Sequence, residues 1–393
     1  MISQIGVIVL DRPPEASRLN IKGMTMTMKT SLEDLIIVDA HQDLAYNALA
    51  FGRDARRSAL ATRAEEEGGP VSVTNGRCMV GLPELVHGRV AVLFGTLFAM
   101  PPHRAVSSMD IVYRTPDEAH RQGMTQLDIY HRWADEEPQM ALIGNRADLE
   151  AVLEAWDDGR GADEPGRRQV GIVPLMENAD PIREPAELEV WVERGLRVVG
   201  PAWAASRYSG GTGEPGPLTD LGRELLEVMA DLGVALDLSH MAERAALEAL
   251  ERFEGTLMAS HSNPQSVVPG DRQLSDALIV GIAERGGVIG IVPYNGFLRP
   301  DWHRGDRKER VTLSDVVRAI DHVCQRVGDA EHVGLGSDFD GGFGSESAPA
   351  ALDTVADLPK LATALGEHGF EPEHIRAIMG GNWLRWLRRI LPE

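Results

Sequence analysis

The sequence predicts an α/β protein whose single domain is a TIM-like (β/α)8 barrel, a closed ring of eight parallel strands alternating with helices. Short, continuous apolar runs recur between residues 35 and 336, a pattern typical of strands that are buried on both faces. Helical periodicity fills the intervals between the later runs. The chain has 393 residues, which fits such a barrel, since these domains use about 250 residues and exceed about 400 with insertions.

Eight apolar runs are predicted strands, and eight is the number that closes the barrel. They cover residues 35–38, 90–98, 170–175, 196–200, 234–238, 256–259, 287–292 and 332–336. Three later intervals have helix-capping signals, a hydroxyl side chain before the first apolar residue and a glycine after the last. The predicted caps are Thr219, Ser275 and Ser314, and the closing glycines are Gly233, Gly286 and Gly328. The longer interval 99–169 predicts two helices and a charged, Gly-rich connection at 157–168.

The sequence also predicts the domain division and the character of the two ends of the chain. Residues 1–30 are predicted to be a poorly ordered N-terminal extension or a segment before the true translation start, and residues 31–393 are predicted to form the barrel domain. The apolar run at 5–10 has no basic residue before it and is too short to span a membrane, so neither a secretory signal nor a membrane anchor is predicted. Near the C-terminus, one helical stripe contains Trp383, Trp386, Leu387 and Ile390. In so acidic a chain the stripe favours a helix docked on the barrel or at a homodimer interface over a membrane-surface helix.

Composition and charge exclude several classes of function. Apolar residues make up 43% and charged residues 25%, ordinary values for a globular chain with a large core. The formal net charge of -21 argues against nucleic-acid and anionic-membrane partners, which are bound by clustered Lys and Arg. The two cysteines, Cys78 and Cys324, have no paired spacing, so a disulfide framework is excluded and a reducing, cytoplasmic compartment is expected.

Ionisable side chains follow the carboxyl ends of five predicted strands. In chain order they are His41 and Asp43, Glu177, His240, His261 and Asp338. In a parallel barrel all these positions lie on one rim, so residues that are distant in sequence converge there. Imidazoles and carboxylates are the usual ligands of zinc-type ions, and two ions would need a bridging carboxylate, for which Glu177 is the candidate. A single strand-end histidine is more often structural than a ligand, but the joint placement predicts a centre for one or two ions and hence a metallohydrolase.

Six motifs make the pattern more specific. They are VDAHQD at 38–43, MENADP at 176–181, DLSH at 237–240, SHSN at 260–263, GLGSDFDG at 334–341 and GGNWLR at 380–385. Together, and in this order, they resemble the membrane (renal) dipeptidase family, peptidase family M19, zinc peptidases of the amidohydrolase superfamily. The resemblance extends from about residue 35 to the C-terminus.

The resemblance implies roles for individual residues. It implies two Zn²⁺ ions per chain, one bound by His41 and Asp43 and the other by His240 and His261. It also implies that Glu177, a metal ligand and catalytic residue, bridges the ions together with a water or hydroxide. It further implies that Arg272 holds the substrate carboxylate and that Asp338, as catalytic and substrate-binding residue, handles the proton. A planar guanidinium matches a carboxylate bidentately, which agrees with that role of Arg272.

Several positions depart from the family's pattern or have a second interpretation. Many members have a histidine that helps polarise the scissile carbonyl where this chain has Trp203, predicted here to contact substrate. Gln42 and Asn178 replace the family's usual Asn and Gly, changes expected to tune the pocket or the surroundings of the metals. Asp340 is expected to be a supporting or structural acid. The Gly-rich segment at 209–216 lacks the Lys-Ser/Thr of a phosphate loop and is interpreted as a mobile rim loop.

The expected function is hydrolysis of small dipeptides, with L-X-D or L-X-L stereochemistry, through a metal-bridging hydroxide. One alternative is a binuclear metal hydrolase of the same fold that acts on another small amide, an acyl-amino acid or a lactam, which Trp203 leaves open. A second alternative is a catalytically silent metal-binding protein. Retention of Asp338 and of every predicted metal ligand disfavours that second alternative.

Overall fold

The apolar runs form the strands of a closed parallel barrel in the computed structural model, which describes residues 35–157 and 166–393. The described strands are β1 (Ile37–Gln42), β2 (Val90–Phe98), β3 (Met140–Leu142), β4 (Val170–Glu177), β5 (Val198–Gly200), β6 (Ser209–Gly211), β7 (Glu214–Leu218), β8 (Ala235–Asp237), β9 (Leu257–Met258), β10 (Ile289–Ile291) and β11 (Val333–Leu335). Eight of them pair in the order β10-β11-β1-β2-β4-β5-β8-β9. A parallel bridge between Ala259 and Ile289 joins β9 to β10 and closes the ring. Each barrel strand overlaps one predicted run, so the (β/α)8 prediction is confirmed.

Helices occupy the intervals between the barrel strands. The described helices are α1 (Leu44–Phe51), α2 (Ala59–Glu66), α3 (Pro70–Thr74), α4 (Leu82–His87), α5 (Pro116–Glu136), α6 (Arg146–Glu154), α7 (Leu188–Glu193), α8 (Asp220–Asp231), α9 (Glu243–Arg252), α10 (Asp276–Glu284), α11 (Asn295–Leu298), α12 (Leu313–Val327), α13 (Pro359–His368), α14 (Pro372–Arg376) and α15 (Asn382–Ile390). A π-helical turn, Ala377–Gly381, connects α14 to α15.

Two of the three predicted helix caps are confirmed. Thr219 caps α8 and Ser275 caps α10, each side chain accepting a hydrogen bond from the backbone N–H three residues on. The prediction that Ser314 caps α12 is wrong, because that helix begins two residues earlier. The carboxylate of Asp315 accepts the backbone N–H of Thr312 at 2.8 Å, which satisfies a donor at the helix start and fixes the earlier boundary.

The long interval between β2 and β4 contains the two predicted helices, α5 and α6. It also contains β3, which was not predicted. This short strand pairs with residues 170–172 of β4, whereas β5 pairs with residues 175–177 of the same strand. The predictions for residues 1–30 and for most of the connection at 157–168 lie outside the described residues.

The Gly-rich segment at 209–216 belongs to an antiparallel hairpin formed by β6 and β7, so it is a regular hairpin and not the irregular loop that was predicted. Its glycines permit close packing. A Cβ atom on Gly211 would stand 2.3 Å from the carbonyl oxygen of Ala204, and one on Gly210 would stand 2.3 Å from the backbone nitrogen of Gly216. Glycine is therefore required here by the close approach of two backbone segments.

The apolar stripe of α15 is buried against the barrel. Trp383 and Trp386 both pack on Phe94 of β2, with ring centroids 5.5 and 6.1 Å away. Their indole nitrogens donate hydrogen bonds to the carbonyl oxygens of Leu335 and Leu257. The helix is thus docked on the barrel, and the two tryptophans of the stripe are covered within the chain.

Two smaller observations concern the cysteines and the helices. Cys78 and Cys324 are both buried and free, in agreement with the predicted absence of a disulfide framework. Among the described residues, no helix combines the length and the apolar character that crossing a bilayer requires.

Candidate active site

The side chains predicted at the strand ends converge at one end of the barrel. His41 lies within β1, Asp43 follows that strand, and Glu177 is the last residue of β4. Each of the other three stands three residues beyond the end of its strand, β8, β9 or β11: His240, His261 and Asp338. No side chain among the six is more than 15% exposed, so they form a shielded polar cluster.

Glu177 lies at the centre of this cluster. Its Oε1 atom is 3.2 Å from His240 Nε2 and 3.4 Å from His261 Nε2. Its Oε2 atom is 3.7 Å from His41 Nε2. Asp43 Oδ1 and Asp338 Oδ1 approach the same His41 nitrogen to 3.9 and 4.0 Å. The two oxygens of one carboxylate therefore face two separate sets of potential ligands.

These spacings fit metal ions. Ligand atoms about 2 Å from a tetrahedral zinc-type ion stand about 3.3 Å from one another. The Nε2 atom of His41 is buried and has no hydrogen-bond partner among the described residues, although three carboxylates surround it. Two groups of residues bring their ligand atoms within 4.8 Å of one another. They are His41, Glu177 and His261, and His41, Asp43 and Asp338.

The electrostatic environment favours neutral imidazoles at two positions. Burial, followed by the positive charge of Arg272, lowers the pKa of His240 to about 4. Burial and the neighbouring His41 lower the pKa of His261 well below its usual value. Because the neutral imidazole is the form that binds metals, both residues are suited to ligation at neutral pH.

At His41, by contrast, the surrounding carboxylates favour a positive charge. Burial lowers the pKa of His41, but the carboxylates led by Glu177 outweigh it and raise that pKa to about 10. Burial raises the pKa of Asp43 to about 6 against the charge of His41, and burial also raises that of Asp338. The cluster thus concentrates carboxylates in a site that is shielded from water and has a low dielectric constant, where a cation would be strongly stabilised.

The backbone is strained at the same rim. Of the five non-glycine residues with positive φ in the described part of the chain, four belong to the site motifs. They are Asn178, His240, Asp338 and Asp340, with φ between 57° and 70°. Such conformations cost about 1–3 kcal/mol each and persist where surrounding contacts enforce them, often at functional sites.

A cavity of about 410 Å³ opens onto the cluster. One part of its lining is aromatic, where Trp203 packs edge-to-face on Phe98 at 5.0 Å and the Arg104 guanidinium lies 5.3 Å above the Trp203 ring. Another part contains Arg272, whose guanidinium lies 5.4 Å from the ring of Phe297. The cavity therefore combines an apolar wall, a cationic group and the cluster of potential metal ligands.

The comparison with protein families agrees with this geometry. The family described as membrane dipeptidase, peptidase family M19, matches residues 26–391. The chain belongs to this family. Family membership together with the clusters of potential metal ligands makes it a metal-dependent dipeptidase.

Relatives of the membrane dipeptidase family match most of the chain. The dipeptidase ataJ of Aspergillus terreus is 27% identical over 381 residues, 90% of this chain and 84% of that protein. The dipeptidase tcpJ of Claviceps purpurea is 27% identical over 316 residues, 79% of this chain and 69% of that protein. A metallopeptidase structure from Rhodobacter sphaeroides, liganded with a phosphinate mimic of L-Ala-D-Ala, has a TM-score of 0.72 and 25% identity. That match covers 91% of this chain and 99% of the other.

Gln42 and Asn178, the two residues expected to depart from the family's pattern, both have structural partners. The Gln42 side chain donates to Asp39 Oδ2 and to Ser337 Oγ, at 2.5 and 2.7 Å, and so connects β1 to the end of β11. The Asn178 amide donates to the carbonyl oxygen of Ala99 at 2.9 Å. Both side chains therefore brace strand ends next to potential metal ligands.

Asp340 has the contacts of a structural acid, the role that the sequence led us to expect. Its carboxylate accepts the backbone N–H groups of Met79 and Val80 at 2.9 and 3.1 Å, and Arg53 Nη1 lies 3.4 Å away. Its carbonyl oxygen accepts from the side-chain amides of two asparagines, Asn47 and Asn75. These contacts hold the loop that follows β11, on which Asp338 stands.

The buried pair of Arg53 and Asp340 makes a prediction about stability. Arg53→Met should lower the free energy of unfolding by about 3–5 kcal/mol, because it leaves the buried Asp340 without its counter-charge and also removes the paired hydrogen bonds of Arg53 to Glu66. Urea denaturation followed by circular dichroism measures the change. The matched control is Arg57→Met, since Arg57 pairs with Glu65 on the surface, where their side chains are 44% and 62% exposed. Equal destabilisation by both substitutions would contradict the importance assigned to the buried pair.

Two residues without a predicted role, Ser260 and Thr212, contact the site histidines, and a third, Asp237, bonds the Ser260 hydroxyl. Ser260 and Asp237 belong to the sequence motifs described above. Ser260 directly precedes His261, and Asp237 lies three residues before His240, so their closeness to histidines in sequence could have identified them. Thr212 lies at the tip of the β6–β7 hairpin, and its hydroxyl is 3.1 Å from His240 Nδ1. No local sequence signal identifies Thr212, because tertiary packing alone brings it to the site.

Proposed function

We propose that this dipeptidase acts with two zinc ions held at the barrel rim. The proposed ligands are His41, Asp43, Glu177, His240 and His261. The observation that carries the proposal is the position of Glu177, whose Oε1 atom faces two imidazole nitrogens and whose Oε2 atom faces a third. A carboxylate in this position can bridge one ion bound by His41 and Asp43 and a second bound by His240 and His261.

Bound zinc ions lower the pKa of a coordinated water towards neutrality and polarise a carbonyl oxygen. Asp338 is the proposed proton-transfer group. Its carboxylate lines the cavity and lies 4.0 Å from His41 Nε2, close to where the water and the scissile bond would meet. It would take the proton released by the attacking water and deliver it to the nitrogen of the leaving amine.

Arg272 is the proposed anchor for the carboxylate of the substrate. Its Nη1 and Nη2 atoms donate to Ser262 Oγ at 3.0 Å and to the carbonyl oxygen of His261 at 2.6 Å, which fixes the guanidinium at the cavity wall. A guanidinium has five N–H groups, so others are available to a carboxylate. Together with the aromatic wall around Trp203, this anchor would orient a small substrate that has a free C-terminus.

The proposed substrates are dipeptides of L-X-D and L-X-L type. The ligand of the similar Rhodobacter sphaeroides metallopeptidase mimics a dipeptide with a D-residue at its C-terminal position, which supports inclusion of the L-X-D class. We also propose a cytoplasmic location, since the two cysteines are free and buried.

The test combines metal analysis with a substrate library. Purified protein would be analysed for bound zinc and assayed on mixed L-X-L and L-X-D dipeptides, before and after removal of metal with a chelator. Near two zinc ions per chain, with cleavage that is lost with the chelator and restored by zinc, is the expected result. Two zinc ions without cleavage of any dipeptide would overturn the proposed substrate class and direct the search to other small amides.

Arg272→Met should raise KM for dipeptides with a free C-terminal carboxylate by about 10- to 100-fold, the effect of losing a hydrogen-bonded charge pair. The measurement is KM and kcat for the variant and the wild type, at matched zinc content. C-terminally amidated dipeptides provide the internal control, because they offer no carboxylate to lose. An equal rise in KM for amidated substrates would remove Arg272 from this role.

A further inference from the structure

All three imidazoles of the site have the same arrangement of their ring nitrogens. Each Nε2 atom faces Glu177, as described above. Each Nδ1 atom instead faces a hydroxyl group, that of Ser260 for His41 and His261 and that of Thr212 for His240. Since a neutral imidazole has one N–H donor and one lone pair, the hydroxyl partner decides which nitrogen is free to bind a metal.

The hydroxyl of Ser260 contacts two histidines from different strands. Its Oγ atom is 2.7 Å from His261 Nδ1 and 3.3 Å from His41 Nδ1. The two rings stack with their centroids 3.6 Å apart, which brings both Nδ1 atoms to the same oxygen. A third neighbour, Ser239 Oγ, lies 3.3 Å from Ser260 Oγ and accepts the backbone N–H of His261.

Asp237 sets the direction of the Ser260 hydroxyl. Its Oδ2 atom lies 2.5 Å from Ser260 Oγ, and its Oδ1 atom accepts the backbone N–H groups of Ser239 and Ser260, both at 2.9 Å. A carboxylate only accepts, so the hydroxyl proton points to Asp237. The lone pairs of the same hydroxyl then face the two imidazoles, which must present N–H at Nδ1.

Thr212 makes the corresponding contacts with His240. Its hydroxyl lies 3.3 Å from the carbonyl oxygen of His240, an acceptor, and 3.1 Å from His240 Nδ1. A proton donated to the carbonyl leaves a lone pair for Nδ1–H. The hairpin tip is itself held in place, since Thr212 N–H donates to the carbonyl of Trp203 and Gly213 N–H to the carboxylate of Asp271.

We propose that Ser260 and Thr212 are positioning residues whose hydroxyl groups fix all three site histidines as the tautomer with the proton on Nδ1. Asp237 orients the first of these hydroxyls. The proposal rests on the proposed function, because its consequence is that each Nε2 lone pair is directed towards zinc. Loss of such supporting hydrogen bonds to ligand histidines commonly lowers metal affinity by about 10- to 100-fold.

Asp237→Asn tests the direction of the Ser260 hydroxyl with almost no change of shape. The two backbone N–H groups would retain the amide oxygen, so the amide NH2 would face Ser260 Oγ. The hydroxyl would then lose its carboxylate acceptor and turn its proton to Ser239 Oγ, 3.3 Å away, or to an imidazole Nδ1. In the second case that histidine has its own proton on Nε2, where it competes with zinc. Zinc affinity, measured by competition with a chromophoric chelator, should fall about 10- to 100-fold. Ser260→Ala should weaken zinc binding as well.

Ser239→Ala is the matched control for these buried changes. It removes a hydroxyl from the same layer, and that hydroxyl contacts no imidazole nitrogen. Its loss of zinc affinity should be much smaller than that of Asp237→Asn, because the contacts of Ser260 with both Nδ1 atoms and with Asp237 are retained. If Ser239→Ala weakens zinc binding as much as Asp237→Asn does, general disruption explains the effect and the proposal is overturned.

Thr212 offers a test that does not disturb the buried layer, since it is half-buried on a hairpin outside the barrel. Thr212→Val keeps the shape and loses the hydroxyl, whereas Thr212→Ser keeps the hydroxyl. Zinc affinity and the visible absorption of the cobalt-substituted protein should change in the valine variant and be restored in the serine variant. Identical behaviour of the two variants would refute the role of Thr212. A wild-type chain that binds no zinc would refute the proposed function instead.

Discussion

Glu177→Gln should abolish the proposed two-zinc centre and reduce kcat/KM by at least about 10³-fold. The size follows from the several kcal/mol that metal ions contribute to the transition state, at about 1.4 kcal/mol for each factor of ten. Glutamine has nearly the same shape as glutamate, so the cavity should be preserved. It supplies one oxygen and one NH2 group, and the NH2 group cannot ligate a metal.

The orientation of the new amide does not rescue the site. With the amide oxygen in the place of Oε1, it could still serve the ion of His240 and His261, but the ion next to His41 would face NH2. With the opposite orientation, the ion of His240 and His261 would face NH2 and lose its ligand instead. We therefore expect a lower zinc content and a lower affinity at one of the two positions.

Zinc titration and dipeptide hydrolysis measure the effect of this substitution. The control is Glu84→Gln, because Glu84 is also a buried carboxylate but bonds to Ser58 Oγ and to the backbone N–H of Ala59, away from the metal cluster. Glu84→Gln should retain the zinc content of the wild type. A Glu177→Gln variant with two tightly bound zinc ions and wild-type turnover would show that this carboxylate does not bridge the ions.

The prediction of the metal cluster depends on a simple property of parallel barrels. His41, Glu177 and His261 come from three distant segments, but each follows or ends an apolar run. Because parallel strands all end at one rim, identifying the strands was sufficient to place these side chains together. Errors of a few residues in strand boundaries did not matter. His41 was expected beyond its strand and lies within β1, yet it faces the same cluster.

The residues that support the cluster were harder to predict. Thr212 reaches His240 because an insertion between β5 and β8 folds into a hairpin that packs back on the rim. Its glycines were interpreted as a source of mobility, whereas Gly210 and Gly211 allow close contact between backbone segments. Composition alone cannot distinguish these two uses of glycine, since both follow from the missing side chain. The contacts that decide between them are tertiary.

Asp338→Asn should retain bound zinc but reduce kcat for dipeptides by about 10²- to 10⁴-fold, the contribution of a positioned proton-transfer group. Asparagine preserves the size of the side chain, and the five proposed zinc ligands are unchanged. The amide cannot accept the proton of the attacking water or deliver it to the leaving nitrogen. The expected result is therefore a separation of metal binding from turnover, which zinc analysis and steady-state kinetics would reveal.

A change of leaving group tests the second half of this proton transfer. An amine leaves only after its nitrogen is protonated, whereas a phenolic ester expels a stable phenolate without help. An ester analogue of the dipeptide, made from an amino acid and a hydroxybenzoate, retains the carboxylate that Arg272 is proposed to bind. Asp338→Asn should therefore lose less activity towards the ester than towards the peptide. Equal losses on both substrates would confine Asp338 to activation of the water, and wild-type turnover of the peptide would remove it from the mechanism.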